Sequence, residues 1–314
     1  MTEHAGLCLP ARAKLNLVLR IVGRRTDGYH LLETLFHAIE LHDELWVVRA
    51  PHGIELQVTA DEPAFAVSPG PDNLVVKALA RLATEVGTAS GFAARLHKRI
   101  PHGAGLGGGS SDAAAALRLG NQLLGRPLDD AQLARLAKGL GADVPFFLRG
   151  GSQWGRGIGD ELTPATVPPQ HFVLVVPPYG CATAEVYKNY AALWKGSPPQ
   201  DTVRGVTGPN TRDSAVSVRF CNDLEQAAET VTPALAGLRR QVEKLGYPGV
   251  RMTGSGSTLF LAFADAESAE HCEKALAPLR GSSVRLVKTR SAVRVDAALP
   301  RPPGRRGSKD RGGG

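Results

Sequence analysis

Pro101-His-Gly-Ala-Gly-Leu-Gly-Gly-Gly-Ser-Ser111 is the stretch on which the reading of this chain turns. Five of the seven residues from Gly103 to Gly109 are glycine, which removes side chains that would hold a ligand away from the backbone. The freed N–H groups can converge on an anion. Ser110-Ser111-Asp112 then leads into an alanine-rich run that predicts a helix from Ser111 to Leu124. Its positive dipole end and unpaired amides point back at the same place, and Ser110 and Ser111 offer hydroxyls to phosphate oxygens. A flexible linker would need neither the capping cluster nor the helix. A dinucleotide fingerprint is the sharper competitor, since Gly103, Gly105 and Gly108 satisfy G-x-G-x-x-G with Asp129 and Asp130 about twenty positions on. That fingerprint should follow an apolar strand near the start of a βαβ unit. Here the preceding run is Lys98-Arg99-Ile100-Pro101-His102, whose basic residues suit phosphates of higher charge. No Gly-Lys-Ser/Thr occurs, which excludes a Walker A loop.

Upstream, residues 13–22 alternate. Leu15, Leu17, Leu19 and Ile21 fall on one face, and Lys14, Asn16, Val18 and Arg20 on the other, the period of a strand with one buried face. Lys14 and Asn16 therefore point the same way. A polar turn from Gly23 to Gly28 follows, marked by Asp27-Gly28. Strands are expected near 33–49, 54–59 and 92–100, and a helix capped by Asp72-Asn73 runs to Val86. Downstream come a helix over 129–140, strands at 152–158 and 171–176, and helices at 223–230 and 233–245. A strand at 250–253, the tight loop Gly254-Ser-Gly-Ser257, a strand at 258–263, a helix at 267–279 and a strand at 284–289 follow. Strands dominate the first half and mix irregularly with helices in the second, which predicts α+β rather than a doubly wound sheet. Residues 1–9 read as a loose leader, 10–167 as an N-terminal domain and 168–296 as a C-terminal domain. Within the latter, 195–217 reads as a flexible insert, and 297–314 as a basic tail without fixed structure.

The 314 residues are 43% hydrophobic and 21% charged, ordinary for a soluble protein of two domains or one large one. No run approaches the roughly 18 apolar residues of a membrane span. The N-terminus has an early acidic residue and no long apolar run, unlike a secretory signal. A cytoplasmic protein with no membrane partner is expected. Four cysteines, at 8, 181, 221 and 272, lack any C-x-x-C spacing and read as reduced thiols. The net charge of +7 raises RNA binding as a rival function. The last fourteen residues, however, hold five basic residues against one acidic, a surplus of four that leaves +3 for the rest. Aromatics are only 5% and no RNA-module signature occurs, so no nucleic-acid partner is expected.

With these stretches in place, a family resemblance emerges. The glycine loop resembles the second motif of the GHMP kinases, Pro-x-x-x-Gly-Leu-Gly-Ser/Gly-Ser-Ala/Ser. Lys14-Leu-Asn16 resembles their first motif and Met252-Thr-Gly-Ser-Gly-Ser257 their third. Within that superfamily the chain resembles the family of 4-diphosphocytidyl-2-C-methyl-D-erythritol kinases. Ala13-Lys-Leu-Asn-Leu17, Gly23-Arg-Arg-Thr-Asp-Gly-Tyr-His30, Lys98 to Pro101 with the loop, Gly141-Ala-Asp-Val-Pro-Phe146, Asn222-Asp-Leu-Glu225 and the third motif run in the family's order. The run ending in Tyr29-His30 is the discriminating one. Thr253 departs from the family's usual Ser.

The resemblance implies a two-domain GHMP kinase fold with the active site in the cleft between the domains. It implies ATP as co-substrate, with Mg²⁺ carried in by the ATP and no protein metal site. The acceptor it implies is a small molecule, diphosphocytidyl methylerythritol. Lys14 and Asp143 become the catalytic pair, the aspartate accepting the acceptor's hydroxyl proton. ATP falls to Pro101, His102, Gly103, Ala104, Gly105, Leu106, Gly107, Gly108, Gly109, Ser110 and Ser111, with Asn73 and Lys98. The acceptor falls to Asn16, Tyr29, His30, Tyr187, Gly254 and Ser255, with the two tyrosines stacking on cytosine and His30 bonding its edge. From the residues alone, Asp143 could equally be a helix N-cap, Lys14 a solvated lysine and Gly254 to Ser257 a tight hairpin.

Overall fold

The alternation around Lys14 extends further than its polar neighbours suggest. In the computed structural model, which describes residues 6–193, 220–292 and 299–300, one strand, β1, runs from Leu7 to Arg24. It returns through the turn at Gly28 into β2 (His30–Ala50), paired antiparallel along nearly its whole length. Leu7, Cys8 and Leu9, expected in the leader, are rungs opposite Val47, Trp46 and Leu45. Leu9 and Ala11 continue the core-facing stripe, which makes that register favourable. Leu299 and Pro300, expected in the tail, pair with Cys8 and Leu7 as β12 (Leu299–Pro300) along the open side of β1. The expected insert 195–217, residues 1–5, and the rest of the expected tail lie outside the described residues.

The simple two-face reading of β1 fails where its register on β2 shifts, between Arg12 and Lys14, Asn16 and Val18, and Ile21 and Gly23. Asn16 pairs with Phe36 and Val18 with Leu35, so Leu17 is an extra residue, a β-bulge. Beyond it the phase flips. Lys14 and Asn16 share their side of the strand with Leu19 rather than Val18, while Leu17 and Val18 both enter one core cluster. The strand is buried on both faces, Lys14 and Asn16 included.

The first sheet adds β3 (Ile54–Ala60), β4 (Gly91–Lys98), β5 (Ser152–Arg156), β6 (Glu161–Pro164) and β8 (Cys221–Asn222). Its order is β12-β1-β2-β4-β3, with β5 on β2, β6 on β5 and β8 parallel to β1. The second sheet is β11-β7-β10-β9, from β7 (His171–Val176), β9 (Arg251–Met252), β10 (Leu259–Phe263) and β11 (Arg285–Arg290). Val173 and Val175 of β7 face a core with α6 (Glu225–Val231), α7 (Pro233–Lys244) and α8 (Ala266–Ala275). Phe172, Leu174 and Val176 face the other way, onto Ala13, Leu15 and Leu17 of β1. The fold is α+β.

Helices on both sides of the glycine loop frame the site. α1 (Leu74–Val86) is capped by Asn73, whose Oδ1 accepts the Val75 N–H at 2.9 Å. α2 (Gly108–Leu123) starts three residues earlier than the sequence predicts, because Gly107 adopts a left-handed conformation and turns the chain directly into it. After α3 (Asp130–Lys138), which a capping box at Asp129 and Gln132 closes, comes α4 (Val144–Arg149), with Pro145 in its first turn. Neither α4 nor α5 (Thr183–Leu193) is predicted by the sequence pattern. All four cysteines are free, and no helix among the described residues is long and apolar enough to cross a membrane.

Candidate active site

A cavity of about 900 Å³ opens against β1, the glycine loop, the start of α5 and the loop after β9. Its wall receives Lys14, Asn16 and Asp143 together with Gly103, Gly105 and Gly107. It also receives Tyr29, His30 and Tyr187, and Gly254 and Ser255. Lys14 is no solvated lysine. Its side chain is 4% exposed, and Nζ donates to Asn16 Oδ1 at 2.5 Å and to Gly105 O at 2.8 Å. Asp143 Oδ2 lies 3.7 Å from it. Burial pushes the Lys14 amine below its usual pKa, and the Asp143 charge opposes that shift. Asp143 precedes α4 but makes no capping bond, so its carboxylate, 35% exposed, is left to the cavity and to Lys14. Asn16 Nδ2 donates to Thr34 Oγ1 at 2.8 Å, and its N–H to Thr253 Oγ1 at 2.9 Å, which ties the first motif to the third.

Gly103, Gly105 and Gly107 have φ of +68°, +78° and +73°. At two of them packing is as strict as conformation. A Cβ on Gly105 would lie 2.4 Å from Thr253 O, and one on Gly107 would lie 2.8 Å from Phe147 Cζ and 3.1 Å from Lys14 Cγ. The loop is also held by its backbone, with Lys14 N–H donating to Leu106 O at 3.0 Å and Thr258 N–H to Ala104 O at 3.3 Å. Pro101, Ala104 and Leu106 are buried, His102 is exposed, and Gly108, Gly109, Ser110 and Ser111 form the first turn of α2. These residues lie outside the cavity wall. Asn73 uses its amide locally, since Oδ1 caps α1 and Nδ2 donates to Ser68 O of the preceding loop at 2.8 Å. Lys98 does not line the cavity; it is buried between Asp43 and Asp112, to both of which its ammonium donates.

Tyr29 is 64% exposed at the tip of the turn, and His30 is buried beside it. The His30 ring lies 5.4 Å from that of Tyr187 and 5.8 Å from that of Tyr190. Its Nε2 is buried without a partner. Burial first, then Arg24, holds His30 below its usual pKa, so at neutral pH it offers one donor and one acceptor. Burial and then Asp143 push the Tyr187 hydroxyl up.

The GHMP kinases N terminal domain family matches residues 73–151 and the GHMP kinases C terminal family residues 210–279. A 4-diphosphocytidyl-2-C-methyl-D-erythritol kinase of Bordetella bronchiseptica is 41% identical over 258 residues, 81% of each chain. One of Pelotomaculum thermopropionicum is 42% identical over 264 residues, 82% of this chain and 90% of that one. The crystal structure of a 4-(cytidine 5'-diphospho)-2C-methyl-D-erythritol kinase superposes with a TM-score of 0.70 at 34% identity, over 90% of this chain and 98% of that one. The chain belongs to the 4-diphosphocytidyl-2-C-methyl-D-erythritol kinase family. A homoserine kinase from Cytophaga hutchinsonii, at 17% identity and a TM-score of 0.65 over 95% of this chain and 98% of that one, shares the fold alone.

Two features of this family member had no structural role assigned from the sequence. The Asn222-Asp-Leu-Glu225 stretch is a clamp. Asn222 Nδ2 donates to Met252 O at 2.9 Å and Gly254 O at 2.8 Å, and Glu225 Oε1 accepts the Met252 N–H at 2.8 Å. Asp223 Oδ2 accepts the Ile21 N–H at 2.8 Å. The stretch thus fixes the third motif against β1, a role that its place in the family's order of motifs did not disclose. Thr183, the second feature, meets Ser255 hydroxyl to hydroxyl at 2.8 Å and joins α5 to the third motif. The family's usual Ser at 253 would supply the same hydroxyl that Thr253 gives Asn16, which accounts for the tolerance of that departure.

Proposed function

We propose that the chain transfers the γ-phosphoryl group of ATP to the 2-hydroxyl of 4-diphosphocytidyl-2-C-methyl-D-erythritol, in the non-mevalonate route to isoprenoids. One observation carries this reading: a single cavity wall joins a lysine–carboxylate pair and a left-handed glycine loop to an aromatic cluster with an unpartnered histidine nitrogen. The loop amides and the start of α2 hold the phosphates. Tyr29 and Tyr187 take the two faces of cytosine, and the free His30 Nε2 bonds its edge. Asp143 accepts the proton of the attacking hydroxyl on a carboxylate oxygen, while the Lys14 ammonium polarises that hydroxyl and fixes the loop through Gly105.

Magnesium fits as a companion of the nucleotide. The cavity wall carries two carboxylates, Asp143 and Asp27, and this ion is ordinarily held by one or two carboxylates with phosphate oxygens and water. Asp143, beside Lys14, is the one that would share it. When bound, the ion offsets charge developing on the transferring phosphoryl group. The test is to incubate the protein with ATP, Mg²⁺ and the diphosphocytidyl alcohol, beside mevalonate, homoserine and galactose, and to measure ADP. ADP released with the first and not the others supports the reading; equal turnover of a simple alcohol sinks it.

A further inference from the structure

Lys98 ends β4, three residues before the loop opens at Pro101, and Asp112 lies in the first turns of the helix that follows it. Both are buried, as is Asp43 of β2. Lys98 Nζ donates to Asp112 Oδ2 at 2.7 Å and also to Asp43. Asp43 Oδ1 further accepts the N–H groups of Arg99 at 2.5 Å and Ile100 at 2.8 Å. The strand entering the glycine loop and the helix leaving it are therefore fastened at one point on β2.

Two carboxylates around one ammonium leave a surplus negative charge in a dry place if both are ionised. Asp43 and Asp112 both lie against the Lys98 ammonium, and like charges held so close do not both ionise readily. The donors decide where the charge resides. Asp43 accepts from three N–H groups, whereas Asp112 accepts one and its Oδ1 is buried with no partner. Burial, opposed by Lys98 and reinforced by Asp43, pushes the Asp112 acid up to about 8. Burial alone would lower the Lys98 amine, but the two acids hold it above its usual value. These two are the charged groups that face Asp112, Lys98 from β4 and Asp43 from β2.

We propose that Asp112 enters this clasp as the neutral acid and acts as a positioning residue for the nucleotide: it anchors the loop to β2 while keeping negative charge out of the helix end that receives the phosphates. This rests on the reading of the loop as an ATP site. Ionising Asp112 would set an anion beneath the phosphates, in the first turns where the helix dipole otherwise favours them, at a cost of about fivefold in affinity.

The test is calorimetric titration of ATP into the wild type, Asp112→Asn and Asp43→Asn at pH 7 and pH 9.5, with melting temperatures alongside. No acceptor is needed, so the outcome does not depend on which alcohol is phosphorylated. Asp112→Asn, a neutral isostere, is expected to bind ATP at pH 7 as the wild type does. Between pH 7 and 9.5 the wild type should lose about fivefold more affinity than Asp112→Asn, since any loss from Lys14 is common to both. Asp43→Asn should bind ATP more weakly at both pH values and melt lower, because Asp112 is then the acid that ionises to balance Lys98 and the Arg99 and Ile100 N–H groups lose a charged acceptor. Parallel pH profiles for the wild type and Asp112→Asn overturn the proposal, as does a large loss of affinity in Asp112→Asn at pH 7. Failure of the wild type to bind ATP at either pH overturns the ATP reading and the proposal with it.

Discussion

Lys14 touches a loop carbonyl as well as facing a carboxylate, so removing it and removing Asp143 are not equivalent. Asp143→Asn keeps the shape and deletes the proton acceptor. It should lower kcat by about 10²–10⁴ and leave both KM values nearly unchanged. Lys14→Met should cost at least as much in kcat and also raise KM for ATP, because Gly105 O and Asn16 Oδ1 lose their donor. The double variant should be little worse than Lys14→Met alone, since the pair acts as a unit; additive losses in kcat would separate their roles. Because burial lowers the Lys14 pKa, the amine loses its charge as pH rises through that lowered value, and kcat should fall on an alkaline limb. At the other side of the cavity, stacking on a base is worth roughly 1–3 kcal/mol. Tyr29→Ala and Tyr187→Ala should raise KM for the diphosphocytidyl substrate by that measure and spare KM for ATP. Only Tyr187→Ala should also lower the melting temperature, as Tyr29 is 64% exposed. A rise confined to KM for ATP would reverse the assignment. At this scale the meeting of Lys14, Asp143 and the aromatic residues on one cavity wall was legible because their neighbours form short, ordered motifs. The enclosure of Lys98 was not legible because its partners lie 55 and 14 residues away, and nothing local in the sequence marks a lysine that two acids enclose.

The glycine loop behaves as an element with two kinds of position. At Gly103 a Cβ would meet nothing within 4 Å, so Gly103→Ala should cost only the left-handed backbone, about 1–2 kcal/mol of stability. Gly105→Ala should cost more and weaken ATP binding, because the loop must retreat from Thr253 O. Denaturant melts of both, compared with ATP affinity, distinguish the two; equal losses would mean that the packing seen at Gly105 is irrelevant. Gly107→Val should displace Phe147 and the Lys14 stem, at which its Cβ points. The sequence marked the loop and most strands and helices, but not where their phases break. A bulge at Leu17 leaves no trace because Leu17, Val18 and Leu19 are all apolar. α4 is six residues long with Pro145 near its start. In α5 only Val186 is buried, so there was no apolar stripe to read.

Across the whole molecule, His37 joins the two sheets. Its Nδ1 meets Ser152 Oγ of β5 and its Nε2 meets Ser291 Oγ just past β11, each at 2.8 Å. Burial pushes His37 down to about 4, while an unfolded chain would titrate near 6.5. The stability this contributes is complete above about pH 6.5 and is lost as pH falls toward 4, by up to about 3 kcal/mol. His37→Gln should flatten the melting temperature between pH 7 and 4.5 relative to the wild type; an unchanged slope would clear His37 of the effect. The α+β class was legible from the irregular order of strands and helices, but the interlocking of the halves was not, because it depends on pairings across most of the chain. That interlocking bears on how the enzyme is made. A ribosome that has released about 170 residues has finished the loop sequence but none of Thr253, Thr258 or the Asn222 clamp against which the loop is set. The nascent first half should therefore be mute toward nucleotide, and halves expressed separately should bind ATP only once they are mixed.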